Sequence, residues 1–331
     1  MSKNYQVVGI GNALVDILSH VEDAFLSNHG VRKGIMQLID TARAAELYGH
    51  MGPALEVSGG SAANTIAGIA ALGGRTAYVG KVKDDQLGAI FAHDLRSQGA
   101  DFDTPPMHNA HEAETGRCMV LVTQDGERSL NTYLGVSEFL APSDIDETLM
   151  ADAEWLYLEG YRFDGPDSKA AFAKAIGAAK AAGGKASITL SDPFCVDRHR
   201  DEFRRMVRED LDLLFANEHE IMSLYRTDDL SVALTLAASE VEMVACTASD
   251  RGAYIIQNGT ETHAPTRPVV PVDATGAGDL FAAGFLYGLT AGLDMLTCGR
   301  MGCVAAGEVI SHIGARPEAD LTELFAAEGL V

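Results

Sequence analysis

The residues best suited to chemistry lie near the C-terminal end of the chain, in the stretch Pro-Val-Asp-Ala-Thr-Gly-Ala-Gly-Asp, residues 271–279. Gly276, Ala277 and Gly278 carry almost no side chain, so a polyanion could approach their backbone N–H groups closely. The helix predicted to follow would aim its positive dipole end at the same place. Asp279, in the first turn of that helix, adds a carboxylate that could accept a proton. An anion cradle with a base beside it suits phosphoryl transfer to a hydroxyl group.

A glycine turn that merely begins a helix is the alternative interpretation of this stretch, and it fits most Gly-x-Gly sequences. The longer pattern Asp-x-Thr-Gly-Ala-Gly-Asp is more demanding. With ordinary residue usage it should arise by chance in roughly one chain of this length in ten thousand. The pattern therefore favours a functional loop.

Composition limits the classes of function. The net charge of −22 over 331 residues argues against binding nucleic acid or anionic membranes, which requires basic surface. No apolar run is long enough to span a bilayer. The five cysteines are scattered and include no Cys-x-x-Cys pair, which predicts free thiols in a reducing compartment. The N-terminal residues show no signal-peptide pattern, and we expect a cytoplasmic protein.

Two polar residues follow the first predicted strand, which runs from Tyr5 to Gly11. Asn12 and Asp16 come just after its carboxyl end, where open α/β sheets bind their ligands. The alternatives are turn formation for Asn12 and a capping or solvated role for Asp16. A dinucleotide fingerprint based on the glycines of this strand is disfavoured because its third glycine is missing.

A second glycine-rich segment precedes a helix of small residues. Gly59 and Gly60 can serve as a hinge, since adjacent glycines absorb large dihedral changes. Asn64 falls in the first turn of the predicted helix and could reach a ligand hydroxyl. Ser61 could bind the ligand as well, or could simply cap the helix.

Strands and helices alternate clearly from Ala153 onward, which predicts a mainly parallel sheet covered on both faces. Strands are predicted at 155–158, 186–190, 213–216, 243–247 and 253–257, and helices at 168–182, 198–208, 217–225, 230–238 and 293–313. Earlier in the chain, two β-prone runs at 117–123 and 128–134 flank a turn and predict a hairpin. Arg128 on this hairpin could close over a phosphate, or could be an ordinary surface charge. The chain contains no Walker-type phosphate loop.

Four separated pieces resemble the ribokinase-like (PfkB) family of carbohydrate and nucleoside kinases, so the resemblance covers essentially the full length. They are the N-terminal strand with its polar residues, the glycine pair with Asn64, the Asn-x-x-Glu sequence at 217–220, and the loop ending in Asp279. The resemblance implies a three-layer α/β/α core with a mainly parallel sheet and a small β-sheet lid. The whole chain, residues 1–331, would form one kinase domain, with lid segments at approximately 17–55 and 105–137.

The resemblance also implies a role for each candidate residue. Asp279 would be the catalytic base, with the N–H groups of Gly276, Ala277 and Gly278 as the anion hole and Arg128 closing over them. The hydroxyl groups and the nucleobase of the substrate would contact Asn12, Asp16, Gly60, Ser61, Asn64, Tyr161 and Phe163. ATP would contact Asn217, Glu220, Thr247, Gly252 and Thr275, with Glu220 holding Mg²⁺ indirectly through water. A monovalent cation such as K⁺ is a further candidate cofactor.

Two of these assignments have a plain alternative or a departure from the family pattern. Asn217 and Glu220 also form a capping-box sequence, which would explain both residues structurally. Ser249 stands where many members of the family have glycine, in the turn that precedes Gly252.

Within the family the chain resembles the adenosine kinases most. The sequence from Gly9 to Asp16 and the Arg-Ser-Leu at 128–130 carry this likeness. Tyr161 and Phe163 could stack on a purine, although core packing would explain them equally well. We therefore expect ATP-dependent phosphorylation of the 5′-hydroxyl of a nucleoside, adenosine first. The alternatives are a sugar kinase acting on ribose or fructose, a nucleoside sensor without activity and, more distantly, a dehydrogenase. We expect small molecules as partners, and a monomer or homodimer.

Overall fold

The structure is a computed structural model that describes residues 3–108, 112–165 and 167–331. Its strands are β1 (Tyr5–Ile10), β2 (Leu14–His20), β3 (Met36–Leu38), β4 (Leu55–Gly59), β5 (Thr76–Val79), β6 (Gly116–Val122), β7 (Arg128–Tyr133), β8 (Ala153–Glu159), β9 (Lys185–Thr189), β10 (Leu213–Asn217), β11 (Met243–Thr247), β12 (Ala253–Gln257) and β13 (Thr260–Ala264). Its helices are α1 (Asp23–Asn28), α2 (Thr41–His50), α3 (Ser61–Ala71), α4 (Gln86–Ser97), α5 (Glu147–Ala151), α6 (Ser168–Ala181), α7 (Pro193–Glu209), α8 (Glu218–Tyr225), α9 (Leu230–Glu240), α10 (Ala277–Thr290), α11 (Met295–Val309) and α12 (Leu321–Ala327).

The large sheet has eight strands in the order β13-β12-β11-β10-β9-β8-β1-β5. Six of them are parallel, and β12 and β13 run antiparallel at one edge. The predicted mainly parallel sheet is confirmed. Strand β13 was not predicted, because its sequence Thr-Glu-Thr-His-Ala is polar and it lies at the solvent-exposed edge.

Helices cover both faces of the large sheet and give the expected three layers. Alternate residues of one strand point to opposite faces. Val7 of β1 therefore belongs to the core formed with α3, α4, α10, α11 and α12. Val8 points the other way, into the core formed with α5 to α9.

A small sheet of five strands stands apart from the large one, in the order β3-β7-β6-β2-β4. The predicted hairpin is confirmed as the antiparallel pair β6 and β7. Met119 and Leu121 of β6 pack against α1 and α2 on one face. The opposite face, which we call the inner face, carries a separate apolar cluster of Leu18, Cys118, Val120, Val122 and Leu130.

The chain passes from the large sheet to the small one between Ile10 and Leu14, and it leaves the small sheet at Gly59. These positions lie outside the predicted lid segments, 17–55 and 105–137, by a few residues. The movement of the small sheet as a lid stays a prediction. Among the described residues, no helix combines the length and the apolar character needed to cross a membrane.

Candidate active site

Asp279 lies in the first turn of α10, whose start is fixed by Gly276. The backbone of Gly276 has φ = 79°, a left-handed conformation that favours glycine. A Cβ atom at this position would also lie 2.8 Å from the Cβ of Ala315. Backbone conformation and close packing therefore both require glycine here, and together they set the direction in which α10 begins.

The N-terminus of α10 is open to a ligand. Eight other helices begin with an Asp or Asn side chain that accepts a hydrogen bond from the first turn. At α10 the preceding residue is Gly276, which has no side chain to cap the helix. The N–H groups of Gly276 and Gly278 find no acceptor in the described chain, while that of Ala277 donates to Ala274 O at 3.3 Å. The predicted anion hole thus has two unpaired N–H groups rather than three.

The carboxylate of Asp279 is held by the start of α3. Ser61 Oγ donates to Asp279 Oδ1 at 2.6 Å, and Asn64 Nδ2 donates to Asp279 Oδ2 at 2.9 Å. Burial raises the pKa of Asp279, and these two hydrogen bonds oppose the rise. The buried Oδ1 of Asn64 has no partner among the described residues. That oxygen is free to accept a hydrogen bond from a ligand hydroxyl.

Asp16 projects from β2 on the inner face, against the glycine pair. A Cβ on Gly59 would lie 2.3 Å from Asp16 Oδ2, and a Cβ on Gly60 would lie 2.2 Å from Asn12 O. Gly60 also has φ = 97°. Burial raises the pKa of Asp16 to about 7, although the charges of Arg316 and Arg128 lower it. Gly59 is thus what allows Asp16 to approach the backbone so closely, and Gly60 does the same for the carbonyl of Asn12.

Arg128 connects the small sheet to the loop before α10. Its Nη2 lies 2.5 Å from Asp273 Oδ2, and its Nη1 donates to Thr275 Oγ1 at 3.2 Å. Asp273 also accepts hydrogen bonds from Thr275 N and Gly314 N, each at 3.0 Å. The inner face therefore lies against the anion-hole loop. Contact of Arg128 with a phosphate stays a prediction, and it would require competition with Asp273.

Asn12 faces into a buried network instead of the cleft. Its Nδ2 donates to Glu159 Oε1 at 2.7 Å, and its Oδ1 accepts from Arg162 Nη1 at 3.0 Å and from Ser137 Oγ at 3.1 Å. Glu159 also accepts from Ala62 N at 3.0 Å, at the start of α3. We correct the assignment of Asn12 from substrate binding to positioning, because its amide is already engaged.

The aromatic pair predicted to contact a purine is divided. Phe163 is 3% exposed and stacks on Phe203 with ring centroids 4.2 Å apart, inside the core under α7. Its assignment to substrate binding is wrong for this reason. Tyr161 is half-buried and donates its OH to Ser191 O at 3.2 Å. Tyr161 remains a candidate.

Four of the residues predicted to contact ATP lie at or just after the carboxyl ends of β10 and β11, and the fifth, Thr275, lies in the loop before α10. Asn217 N and Nδ2 donate to the two oxygens of Glu220 at 2.9 and 2.6 Å, so the capping box is real. Gly252 has φ = 83°, and a Cβ there would lie 2.1 Å from Ala264 O. Ser249 adopts φ = 51°, a conformation that glycine reaches more easily. Thr247 ends β11 beside this turn.

The donor set fits a Mg²⁺ ion bound mainly by phosphate. Within the described residues there is no group of three or more His, Cys, Asp or Glu side chains that could hold a metal. Mg²⁺ commonly binds through substrate phosphates and water with few protein ligands. Both oxygens of Glu220 accept hydrogen bonds from Asn217, and the indirect contact of Glu220 with Mg²⁺ through water stays a prediction. Burial raises the pKa of Glu220 to about 7.

Sequence reasoning missed two charged residues of the site, Glu159 and Arg316. Glu159 ends the apolar strand β8, and a charge at the carboxyl end of a buried strand could have indicated it. Arg316 lies in a loop near the C-terminus, where its local sequence carries no such signal. Its side chain donates to Ser58 and Ala63, more than 250 positions earlier in the chain.

Comparison with known proteins identifies the family of the chain. A model of the pfkB family of carbohydrate kinases matches residues 35–321. A probable sugar kinase from Rhizobium etli is 47% identical and superposes with a TM-score of 0.93 over 99% of this chain and 100% of that one. Adenosine kinase from Sinorhizobium meliloti is 46% identical, with a TM-score of 0.92 over the same shares. A fructokinase from Klebsiella pneumoniae is 30% identical over 72% of this chain and 79% of its own length. The chain is a member of the pfkB family of kinases, which are phosphotransferases.

Proposed function

We propose that the protein transfers the γ-phosphoryl group of ATP to the 5′-hydroxyl of a nucleoside, with adenosine as the preferred acceptor and AMP as product. The observation that carries the proposal is the position of Asp279. A carboxylate at an uncapped helix N-terminus, held by Ser61 and Asn64 near Asp16, supports a base beside an anion site.

Each polar group of the site has a task in this reaction. Asp279 accepts the proton of the attacking hydroxyl, and its hydrogen bonds to Ser61 and Asn64 fix its orientation. Asn64 Oδ1 and Asp16 accept hydrogen bonds from the other hydroxyls of the acceptor. The N–H groups of Gly276 and Gly278 and the dipole of α10 stabilise the negative charge of the transferring group. Mg²⁺, bound with the nucleotide, neutralises phosphate charge.

The inner face of the small sheet supports a nucleoside acceptor. Beside Asp16 it presents an apolar cluster that includes Leu18, Val120 and Leu130. A free sugar carries a hydroxyl group on nearly every carbon, and each one left unpaired on an apolar surface costs free energy. A nucleobase offers apolar faces that such a surface can cover. The likeness to Sinorhizobium meliloti adenosine kinase supports the same choice.

We also propose that the protein acts in the cytoplasm. The structure leaves all five cysteines unpaired and buried, as suits a reducing compartment.

Replacement of the base tests the reaction. We expect Asp279→Asn to lower kcat by about 10²- to 10⁴-fold, the usual contribution of a general base. Binding of adenosine, measured by calorimetry, should change little because the amide preserves the shape of the side chain. Asp294→Asn, at the exposed start of α11, is the matched control and should keep full turnover. Unchanged turnover of Asp279→Asn would refute the assignment of the base.

A comparison of acceptors tests the substrate class. ADP release is measured with adenosine, other nucleosides, ribose and fructose, and the highest kcat/KM should belong to adenosine. The second candidate is a sugar kinase, favoured by the likeness to the Rhizobium etli protein, and a higher kcat/KM with a free sugar would establish it. No ADP release with any acceptor, together with binding of adenosine, would indicate a nucleoside sensor.

A further inference from the structure

Arg316 joins the two sides of the glycine pair that separates the sheets. Its Nη2 donates to Ser58 O at 3.2 Å and to Ser58 Oγ at 3.1 Å, on β4 of the small sheet. Its Nη1 donates to Ala63 O at 3.0 Å, in the first turn of α3. One guanidinium therefore contacts the backbone just before Gly59 and just after Gly60.

The same guanidinium lies among the acidic groups of the site. The charged groups that act on it are Asp16, Asp279 and Asp94, and the neutral hydroxyl of Tyr78, whose pKa is raised by burial, lies nearby. Asp16 experiences in addition the charges of Arg128 and Asp273, and its own charge acts on the buried, neutral thiol of Cys118. Arg316 lowers the pKa of Asp16 and of Asp279, against the burial that raises both. Among the charges acting on Asp16, that of Arg316 has the largest effect.

The loop that carries Arg316 is itself tied to the anion hole. Gly314 N donates to Asp273, and Ala315 packs on Gly276 so closely that no Cβ fits between them. Glu308 Oε1 accepts from Glu318 N at 2.9 Å and from Ala319 N at 2.8 Å, which fixes the far end of the loop. Ala315, which contacts Gly276, directly precedes Arg316, so this loop connects the start of α10 to the guanidinium.

We propose that Arg316 is a positioning residue for phosphoryl transfer: it holds the backbone on both sides of Gly59 and Gly60, and its positive charge favours the ionised forms of Asp16 and Asp279. The inference rests on the proposed function, because it matters only if Asp16 binds the acceptor and Asp279 accepts a proton. Arginine suits the task better than lysine, since its planar fork reaches two carbonyl groups at once.

Two variants separate charge from shape. Arg316→Gln keeps an amide donor and removes the charge, whereas Arg316→Lys keeps the charge and loses the fork. The matched control is Arg96→Gln, because Arg96 on α4 also donates to a backbone carbonyl, that of Phe102, outside the proposed site. The measurement is kcat/KM for the acceptor between pH 5 and 9, with adenosine or with whichever acceptor the wild type prefers, and the urea midpoint of each variant.

For Arg316→Gln we expect the acid limb of kcat/KM to move about one pH unit higher, because loss of a nearby positive charge raises a carboxylate pKa by about that much or more. Below the limb, kcat/KM should fall about tenfold. Arg316→Lys should keep the limb at the wild-type pH and lose kcat/KM evenly at all pH values. Arg96→Gln should match the wild type.

A folded Arg316→Gln variant with an unchanged pH profile would overturn the inference and leave the proposed function intact. If this variant does not fold, Arg316→Lys decides: an even loss with the wild-type limb supports the inference, and wild-type kcat/KM contradicts it. Failure of the wild type to phosphorylate any nucleoside would instead overturn the proposed function.

Discussion

Four carboxylates around the cleft are held in surroundings that disfavour their charge. Burial raises the pKa of Asp16, Glu159 and Glu220 to about 7 in each case, and it raises that of Asp279. In each case desolvation outweighs the hydrogen bonds and positive charges nearby. A site built in this way binds hydroxyl groups and accepts protons at the expense of stability.

Replacement of Asp16 should expose this trade-off. The fold raises the pKa of Asp16 from 3.8 to about 7, so the folded state binds the proton more tightly than the unfolded chain. Stability from this group is present at low pH and is lost as the pH rises from about 4 to above 7. We expect Asp16→Asn, uncharged throughout, to raise the free energy of unfolding at pH 8 by about 1–3 kcal/mol and at pH 5 by roughly a third of that amount. Urea unfolding at both pH values measures the difference.

The same variant should lose most of its binding of the acceptor, since Asp16 accepts hydrogen bonds from the acceptor's hydroxyl groups in the proposed site. The control is Asp125→Asn, on an exposed turn, where Lys33 lowers the carboxylate pKa. That variant should gain no stability at pH 8. An Asp16→Asn protein less stable than the wild type at pH 8 would show that the attraction of Arg316 and Arg128, and not the desolvation of Asp16, dominates.

Single site residues were predictable where one short stretch of sequence contained all the features that point to the site. The glycine loop before α10 points to Asp279, and the glycine pair before α3 points to Ser61 and Asn64. Residue type alone could not separate Phe163 from a ligand contact, because an aromatic ring suits a core and a nucleobase equally well. Glu159 and Arg316 were missed because their partners are distant in sequence.

At the scale of elements, the site is the meeting point of two helix N-termini without side-chain caps of their own. Helix α3 begins after Gly60 and α10 after Gly276. Their close approach depends on Gly68, where a Cβ would lie 2.8 Å from the Cβ of Ala283. Because the helices pack this tightly, Ser61 at the start of one reaches Asp279 at the start of the other.

The two glycines of the anion hole should respond oppositely to alanine. Gly276 has φ = 79° and no room for a Cβ, so Gly276→Ala should destabilise the fold by about 1–3 kcal/mol. Gly278 has helical backbone, and a Cβ there would meet none of the described atoms within 4 Å. Gly278→Ala should therefore stabilise α10 by about 0.5–1 kcal/mol.

Turnover gives the second half of this prediction. The methyl group of Gly278→Ala occupies space that the proposed phosphoryl group needs, so kcat should fall about tenfold or more although the protein is more stable. Thermal unfolding and ADP release on the same samples measure both effects. Wild-type kcat in Gly278→Ala would mean that no ligand approaches this helix start closely.

The core elements could be predicted because buried strands are apolar and the helices between them have clear ends. Pairing between distant strands could not. Strand β2 follows β1 after three residues, yet it pairs with β4 and β6 in the other sheet. Nothing in its local sequence selects those partners.

Helix boundaries differ from the predicted ones by a few residues. Helix α7 begins at Pro193, before the predicted 198, because Asp192 caps it. Helix α11 spans Met295–Val309, within the predicted 293–313.

At the scale of the whole molecule, a strongly acidic protein must bind a polyanion. The net charge of −22 repels ATP at long range, whereas attraction is local. In the proposed site it would come from the start of α10 and from Arg128, which lies 7% exposed against Asp273. The proposed acceptor, adenosine, is neutral and does not respond to the long-range field. The two substrates should therefore differ in their dependence on ionic strength.

We expect the Kd for ATP to decrease as ionic strength rises from about 10 to about 100 mM, where the Debye length shortens from about 30 to about 10 Å. Salt screens the diffuse repulsion more than the contacts inside a partly buried cleft, so the decrease should be about twofold or more. The Kd for adenosine, measured on the same samples, is the internal control and should stay constant. Ionic strength is varied with choline chloride at fixed K⁺ and Mg²⁺, so that a specific cation effect does not enter. A Kd for ATP that increases steeply with salt would show that local attraction governs binding and that the overall negative charge is too distant from the cleft to matter.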